Sequence, residues 1–315
     1  GARIDAAKAG LSADQAQLDA IRNQVTADVR EQFAKALAAG QRLQIADDAL
    51  VIARQGVVAA EERLRAGAAP VLEVNSARVE IGRATRERAV ADGARTLALA
   101  NLRLLIALDP GVELSLQGDL TQATAVVTEP VAALLEEALA NRAEVRQNRL
   151  ASGAAQAEAR LASREWIPTP KIGISYAREG ESDTTIIQGI LAFDLPIFNR
   201  NVAARGVTAA RVRQLRVAQD EAERRIKQQT LTAIARVRAA EASTKGYGAD
   251  VVKAMTDNMD LVTESYRVGK IDFLQLIVIR RQAVDARRDY IDVLEELSSA
   301  RAELDLALGR SSATR

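Results

Sequence analysis

Along the first third of the chain, Leu18, Ile21, Val25, Val29, Phe33 and Leu37 recur at spacings of three and four, the stripe of an amphipathic helix. No proline interrupts residues 2–66, so the pattern predicts one continuous helix, roughly 100 Å long at the usual rise per residue. Gly40 and Gly56 weaken that helix without ending it. Gly67 does end it, and Pro70, which needs no amide partner in a first turn, opens a second helix running to Leu108. There "DPG" stops it.

The same interruption returns later in the chain. Sliding the sequence by 202 positions lays Arg65 on Arg267, Gly67 on Gly269, Leu72 on Leu274, Arg78 on Arg280 and Arg86 on Arg288. Leu102 then meets Leu304 and Leu104 meets Leu306, with no gap. Upstream, "IDAAK" resembles "VTAAR", and Val25 and Phe33 match Ile226 and Ile234 after a slip of one residue. Against chance matching of alanine-rich helices, this ungapped run implies a tandem duplication of a helix–turn–helix hairpin. In the second copy Ile277, Val284 and Ile291 step by seven, followed by Leu294, Leu297, Leu304 and Leu308. That spacing predicts antiparallel coiled-coil packing. Both interruptions then become tight turns at hairpin tips, with Gly67 and Gly269 in the left-handed conformation that closes a helix.

Between the copies the texture changes. Residues 109–120 are short and extended, and a helix opening near Thr128 continues to about Glu165. Then Ile172, Ile174 and Tyr176 alternate with Lys171, Gly173 and Ser175. Across a polar turn, Ile187, Leu191, Phe193 and Leu195 alternate with Gln188, Ala192 and Asp194. This is a β-hairpin with one apolar face. A lone two-stranded ribbon is barely stable. It fits either a sheet completed elsewhere or, at about ten residues per strand, a transmembrane barrel facing lipid. The fold class is therefore mainly α, with long antiparallel helical hairpins in tandem repeat plus one β-hairpin. Segments fall at 1–108, 109–165, 166–198, 199–309 and a tail at 310–315.

Composition narrows function more by exclusion than by indication. Apolar residues make up 48% of the chain but aromatic ones only 3%, which favours long, closely packed helices over a bulky core. The 43 basic and 42 acidic residues nearly cancel and are interleaved, so nothing argues for nucleic acid. Histidine and cysteine are both absent, which excludes Cys/His metal sites, thiol nucleophiles and Ser–His–Asp triads. Carboxylate pairs such as Glu136–Glu137 and Asp47–Asp48 fall on helix faces without the partner spacing of an enzyme site. No cofactor and no catalytic residue is expected. No apolar run is long enough for a spanning helix.

At "ALANRAEVRQNRLASGAAQAEARLASREWIPTPKIGISY", at "LAFDLPIFNRN" and at the paired turns, the sequence resembles the TolC-like outer membrane efflux proteins over essentially its whole length. "LPIFNRN" looks closest to the heavy-metal efflux branch. The resemblance implies a homotrimer whose subunits jointly build a β-barrel in outer membrane lipid and an α-helical barrel through the periplasm. Its partners would be a periplasmic membrane-fusion adaptor and an inner-membrane pump of the RND type. Family members carry two β-hairpins per subunit, whereas this sequence shows one. Three such hairpins supply six strands, too few for an open lumen. The expectation is that a first hairpin, a signal peptide and any lipidated cysteine precede Gly1.

By the same resemblance, the adaptor would dock at Arg65, Gly67, Ala68 and Ala69 and at Arg267, Val268, Gly269, Lys270 and Ile271. The periplasmic gate would involve Tyr266 and Arg267, with Glu73 as the one acid at an equivalent place. The family's pore-narrowing aspartates correspond to Gln275 and Val278, so an acidic cation-binding ring does not carry over. The leading function is a passive exit duct for metal ions, drugs or other small molecules. The competing readings are a periplasmic adaptor, which would flank a single hairpin with β-domains, and a structural coiled-coil protein.

Overall fold

The computed structural model describes residues 2–109, 111–122, 126–164, 170–179, 184–193 and 201–310. Its helices are α1 (Ala2–Arg65), α2 (Val71–Leu105), α3 (Val131–Asn141), α4 (Ala143–Arg164), α5 (Val202–Gly246), α6 (Ala249–Arg267) and α7 (Phe273–Leu308). Strands β1 (Pro170–Glu179) and β2 (Thr184–Phe193) form one antiparallel ribbon. The chain divides into two compact units, Gly1–Ile21 with Leu139–Lys227, and Arg22–Ala138 with Gln228–Arg315.

The first unit holds the ribbon together with α4 and parts of α1, α3 and α5. Ile172 pairs with Leu191, Ile174 with Gly189 and Tyr176 with Ile187. A period-two pattern in that register gathers Ile172, Ile174, Tyr176, Ile187 and Leu191 on one face. All five are exposed, Ile172 at 83%. Phe193 pairs with Pro170 through its backbone, while Leu195 lies outside the described residues. In the same unit, Ala143, Val145, Ala154, Ala155 and Ala162 of α4 are buried. The Asn201 side-chain amide donates to the Ala162 carbonyl at 3.1 Å.

In the second unit, ion pairs lace the helices and reveal their directions. Asp48–Arg287, Arg42–Asp292 and Arg30–Asp305 run down α1 while rising along α7, so those two are antiparallel. Glu80–Arg281 and Glu87–Arg288 repeat at a seven-residue step, so α2 runs parallel to α7. The seam expected on α7 is buried at Ile277, Ile291, Leu294, Leu297, Leu304 and Leu308, with Val284 partly buried against it.

Three local expectations change. The helix predicted from Thr128 to Glu165 breaks at Arg142, where the guanidinium folds back on Glu144 through two bonds of 2.9 and 2.7 Å. The second copy's first helix also breaks, at Tyr247 and Gly248. Gly246 and Gly248 flank that tyrosine, each costing about 1 kcal/mol in a helix, and Gly248 adopts an extended ψ of 179°. Finally, Leu18, Ile21 and Val25 of the apolar stripe on α1 are exposed, while the buried side chains of α1 are mostly alanines such as Ala34, Ala38 and Ala60. This helix therefore covers mainly small side chains and leaves several of its larger apolar ones outward, unlike α7 with its buried leucines.

Candidate docking and gating site

Both interhelical turns close in the same way. Ala66 N–H donates to Glu62, Gly67 to Leu64 and Ala68 to Arg63, at 3.0, 3.0 and 2.8 Å. In the second turn Val268 donates to Glu264, Gly269 to Tyr266 and Lys270 to Ser265, at the same three distances. Gly67 has φ 71° and Gly269 φ 73°, left-handed values that glycine adopts without a Cβ penalty. The two turns lead into their next helices differently. Pro70 precedes α2 without a side-chain cap. Before α7, Asp272 accepts from Gln275 N–H at 2.7 Å and Gln275 Oε1 accepts from Asp272 N–H at 3.2 Å, a capping box.

The two turns meet. Ala60, Val74, Ala77, Tyr266, Phe273, Leu276 and Ile277 form one buried cluster, against which Val57, Leu64, Val262 and Ile271 pack. Tyr266, 4% exposed, contributes its ring to this cluster. Its hydroxyl donates to the Glu73 carboxylate, and its ring tilts against Phe273 with centroids 5.8 Å apart. The Arg63 guanidinium lies 4.8 Å from the ring centroid, and its Nε is 3.4 Å from Glu73. Burial, reinforced by the Glu73 carboxylate it bonds, pushes the Tyr266 phenol well above the usual tyrosine range. The hydroxyl therefore stays a donor throughout the physiological range.

Of the remaining residues singled out in the sequence, Arg65, Gly67, Ala68, Val268, Gly269 and Lys270 are exposed, and Ala69 and Ile271 are partly so. Arg267 pairs with Glu264 through two bonds of 2.9 Å. Gln275 is engaged in its own helix cap. Next to the turns, Val71 and Leu72 of the first copy and Val268 and Leu274 of the second are exposed apolar side chains. Leu72 and Leu274 are equivalent positions, at 72% and 71% exposure.

Arg63 escaped the sequence reading. The signal that could have found it is divergence between the copies: Ser265 and Gln275 stand where the first copy has Arg63 and Glu73. Beside this cluster, a cavity of about 80 Å³ opens between Gly56, Ala77, Glu80, Arg83 and Arg280. Burial pushes the Arg280 guanidinium below its ordinary range. Among the described residues no group of three His, Cys, Asp or Glu side chains could hold a metal ion. No described helix is long and apolar enough to cross a membrane.

The profile of the outer membrane efflux proteins matches residues 1–108 and 134–310. The chain belongs to that family. The cobalt-zinc-cadmium resistance protein CzcC of Cupriavidus metallidurans is 28% identical over 312 residues, which cover 98% of this chain and 73% of that protein. Protein CyaE of Bordetella pertussis is 27% identical over 191 residues, 58% of this chain and 40% of its own length. Among solved structures, a CusC structure superposes with a TM-score of 0.77 at 18% identity, covering 98% of this chain and 73% of its own. The open-state MtrE channel of Neisseria gonorrhoeae superposes with the same score at 20% identity, covering 97% and 70%. The mainly helical architecture with its β-hairpin is thus the fold of α-helical barrel channels. As an outer membrane efflux protein, the chain is a subunit of an exit duct with a large periplasmic helical part. Family members work as trimers in tripartite efflux systems, and the relatives are channels rather than enzymes.

Proposed function

We propose that this chain is the outer membrane duct of a tripartite system that expels divalent transition-metal cations. In it, the turns at Gly67 and Gly269 receive a membrane-fusion adaptor, and the Tyr266–Glu73 bond holds the periplasmic end closed. The observation that carries this reading is the meeting of two identically closed turns in one buried cluster, tied across the copies by that bond. A bond between α2 and the end of α6 resists any outward swing of the second hairpin relative to the first. Around it, the glycines leave the backbone uncovered, and Leu72 and Leu274 offer apolar anchors to an incoming helical hairpin.

Energy and substrate choice come from an inner-membrane pump of the RND type. The metal assignment rests on the likeness to the cobalt-zinc-cadmium resistance protein over nearly the whole chain. Ile172, Ile174, Tyr176, Ile187 and Leu191 face lipid, in a barrel completed by sister subunits, and Phe193 and Leu195 continue the same alternation in sequence. The exposed residues Ile4, Leu11, Leu18 and Val25, which step by seven along α1, are covered by neighbouring subunits of a homotrimer.

The test is complementation. Cells that hold a metal pump and its adaptor but lack a duct regain cobalt, zinc and cadmium tolerance when this protein is supplied. Tolerance that stays at the ductless level while the protein restores efflux of organic drugs would overturn the metal assignment. A chemically crosslinked protein that migrates as a monomer in detergent would remove the duct itself.

A further inference from the structure

We infer that Arg63 is the positioning residue that couples the first docking turn to the Tyr266–Glu73 link. The inference rests on the gate proposed for that link. Four contacts converge on this one guanidinium. Nη1 donates to the Tyr266 carbonyl at 3.2 Å and Nη2 to the Ala68 carbonyl at 3.4 Å. Its Nε lies 3.4 Å from Glu73, and its plane covers the Tyr266 ring at 4.8 Å. One side chain thus touches the exposed turn, the end of α6, the gate tyrosine and the carboxylate that tyrosine bonds. A planar fork of donors does this; the point charge of a lysine does not.

Closing the turn does not require Arg63. The second turn closes with the same three backbone bonds and has Ser265 at the equivalent place. The first copy therefore carries an arginine that its own backbone has no need of, and all its reach beyond the turn goes to the second copy and to Glu73. With Leu64 and Val71 at the places equivalent to Tyr266 and Phe273, the reciprocal cluster has no counterpart residues. Only the first turn is coupled to the link in this way, and the second has no equivalent device.

A partner that occupies the first turn takes the Ala68 carbonyl from Nη2 and, by offering the guanidinium an acceptor of its own, draws it off Tyr266. Glu73 then loses its cation and the tyrosine loses the cover on its ring. Docking is converted into release of the link without any new group entering the gate.

The experiment measures single-channel open probability of the full-length trimer in planar bilayers, with crosslinking to verify assembly. Variants are Tyr266→Phe, Glu73→Gln, Arg63→Gln, Arg63→Lys and the double variant Arg63→Gln/Glu73→Gln. Arg63→Gln is expected to raise open probability about tenfold, the equivalent of one charge-assisted hydrogen bond. Arg63→Lys raises it too, because a lysine cannot serve both carbonyls together. The double variant matches Glu73→Gln alone, and added adaptor, which opens the parent channel, gives Arg63→Gln no further increment. Should Arg63→Gln fail to form trimers, Arg63→Lys takes its place in each comparison. If Tyr266→Phe opens the channel while the Arg63 variants stay at parental level, or if the single effects multiply in the double variant, the assignment of Arg63 is wrong and the gate stands. An undiminished adaptor increment in Arg63→Gln overturns the coupling. If Tyr266→Phe is itself silent, the gate reading falls and takes this inference with it.

Discussion

Gly269 has a left-handed φ of 73°, and nothing lies within 4 Å of the place a Cβ would take. Those two facts separate what a side chain there would do to folding from what it would do to a partner. Folding feels only the backbone, because there is no atom to clash with. A residue bearing a Cβ costs about 1–2 kcal/mol in this region, whereas asparagine visits it more readily than alanine. Docking feels size, because the empty space above the turn is where an adaptor hairpin would lie. Gly269→Ala is therefore expected to lower stability by about 1 kcal/mol, and Gly269→Asn by less. Adaptor affinity should fall in the opposite order, Asn below Ala below Gly. Thermal unfolding of the detergent-solubilised trimer reads the first series, and binding to immobilised adaptor reads the second. The two rankings must cross. Docking losses that track stability losses would mean the glycine serves only to close its helix, and the docking argument for both turns would fail.

Leu72→Ser and Leu274→Ser remove exposed side chains, so unfolding should shift by no more than about 0.5 kcal/mol while each weakens adaptor binding by about 1 kcal/mol or more, read on the same immobilised adaptor. Ile174→Arg on the apolar face of the ribbon should cost about 2–4 kcal/mol of membrane stability. It is checked by the fraction of heat-resistant trimer recovered from outer membranes, and full recovery would contradict a lipid-facing role. Burial works to raise the pKa of Glu87, but bonds from Arg83 and Arg288 outweigh it and hold the carboxyl below the usual glutamate range. A lowered folded-state pKa contributes stability above the unfolded value, about 4.3, and loses it as pH falls through the folded one. Melting temperature should thus decline below about pH 4.3, and Glu87→Gln should flatten that decline while lowering stability at neutral pH.

Much of the architecture was legible because it rests on short-range rules. A helix needs only a periodic, proline-free tract, as in α1. The turns at Gly67 and Gly269 follow from the one residue type that enters the left-handed region freely. The shared apolar face of β1 and β2 follows from a period of two, which a one-residue slip would invert. Duplication was readable because equivalent turns keep equivalent residues. The apolar pattern continues past the break at Arg142, which depends on how its guanidinium turns back on Glu144, whereas the glycines on either side of Tyr247 do signal the second break in the sequence.

By itself the sequence determined where helices start and stop at the turns, which strand residues share a face, and that metal-binding by Cys or His side chains is excluded. Tertiary structure alone decided which apolar residues are covered. Leu18, Ile21 and Val25 look like core in the stripe and lie exposed, while alanines are buried, because burial depends on every surface that packs and not on one helix's periodicity. It also decided that Tyr266 of one copy bonds Glu73 of the other and that Arg63 joins them. Residues 193 positions apart meet only when two hairpins pack side by side, and no local preference of the backbone encodes that distance.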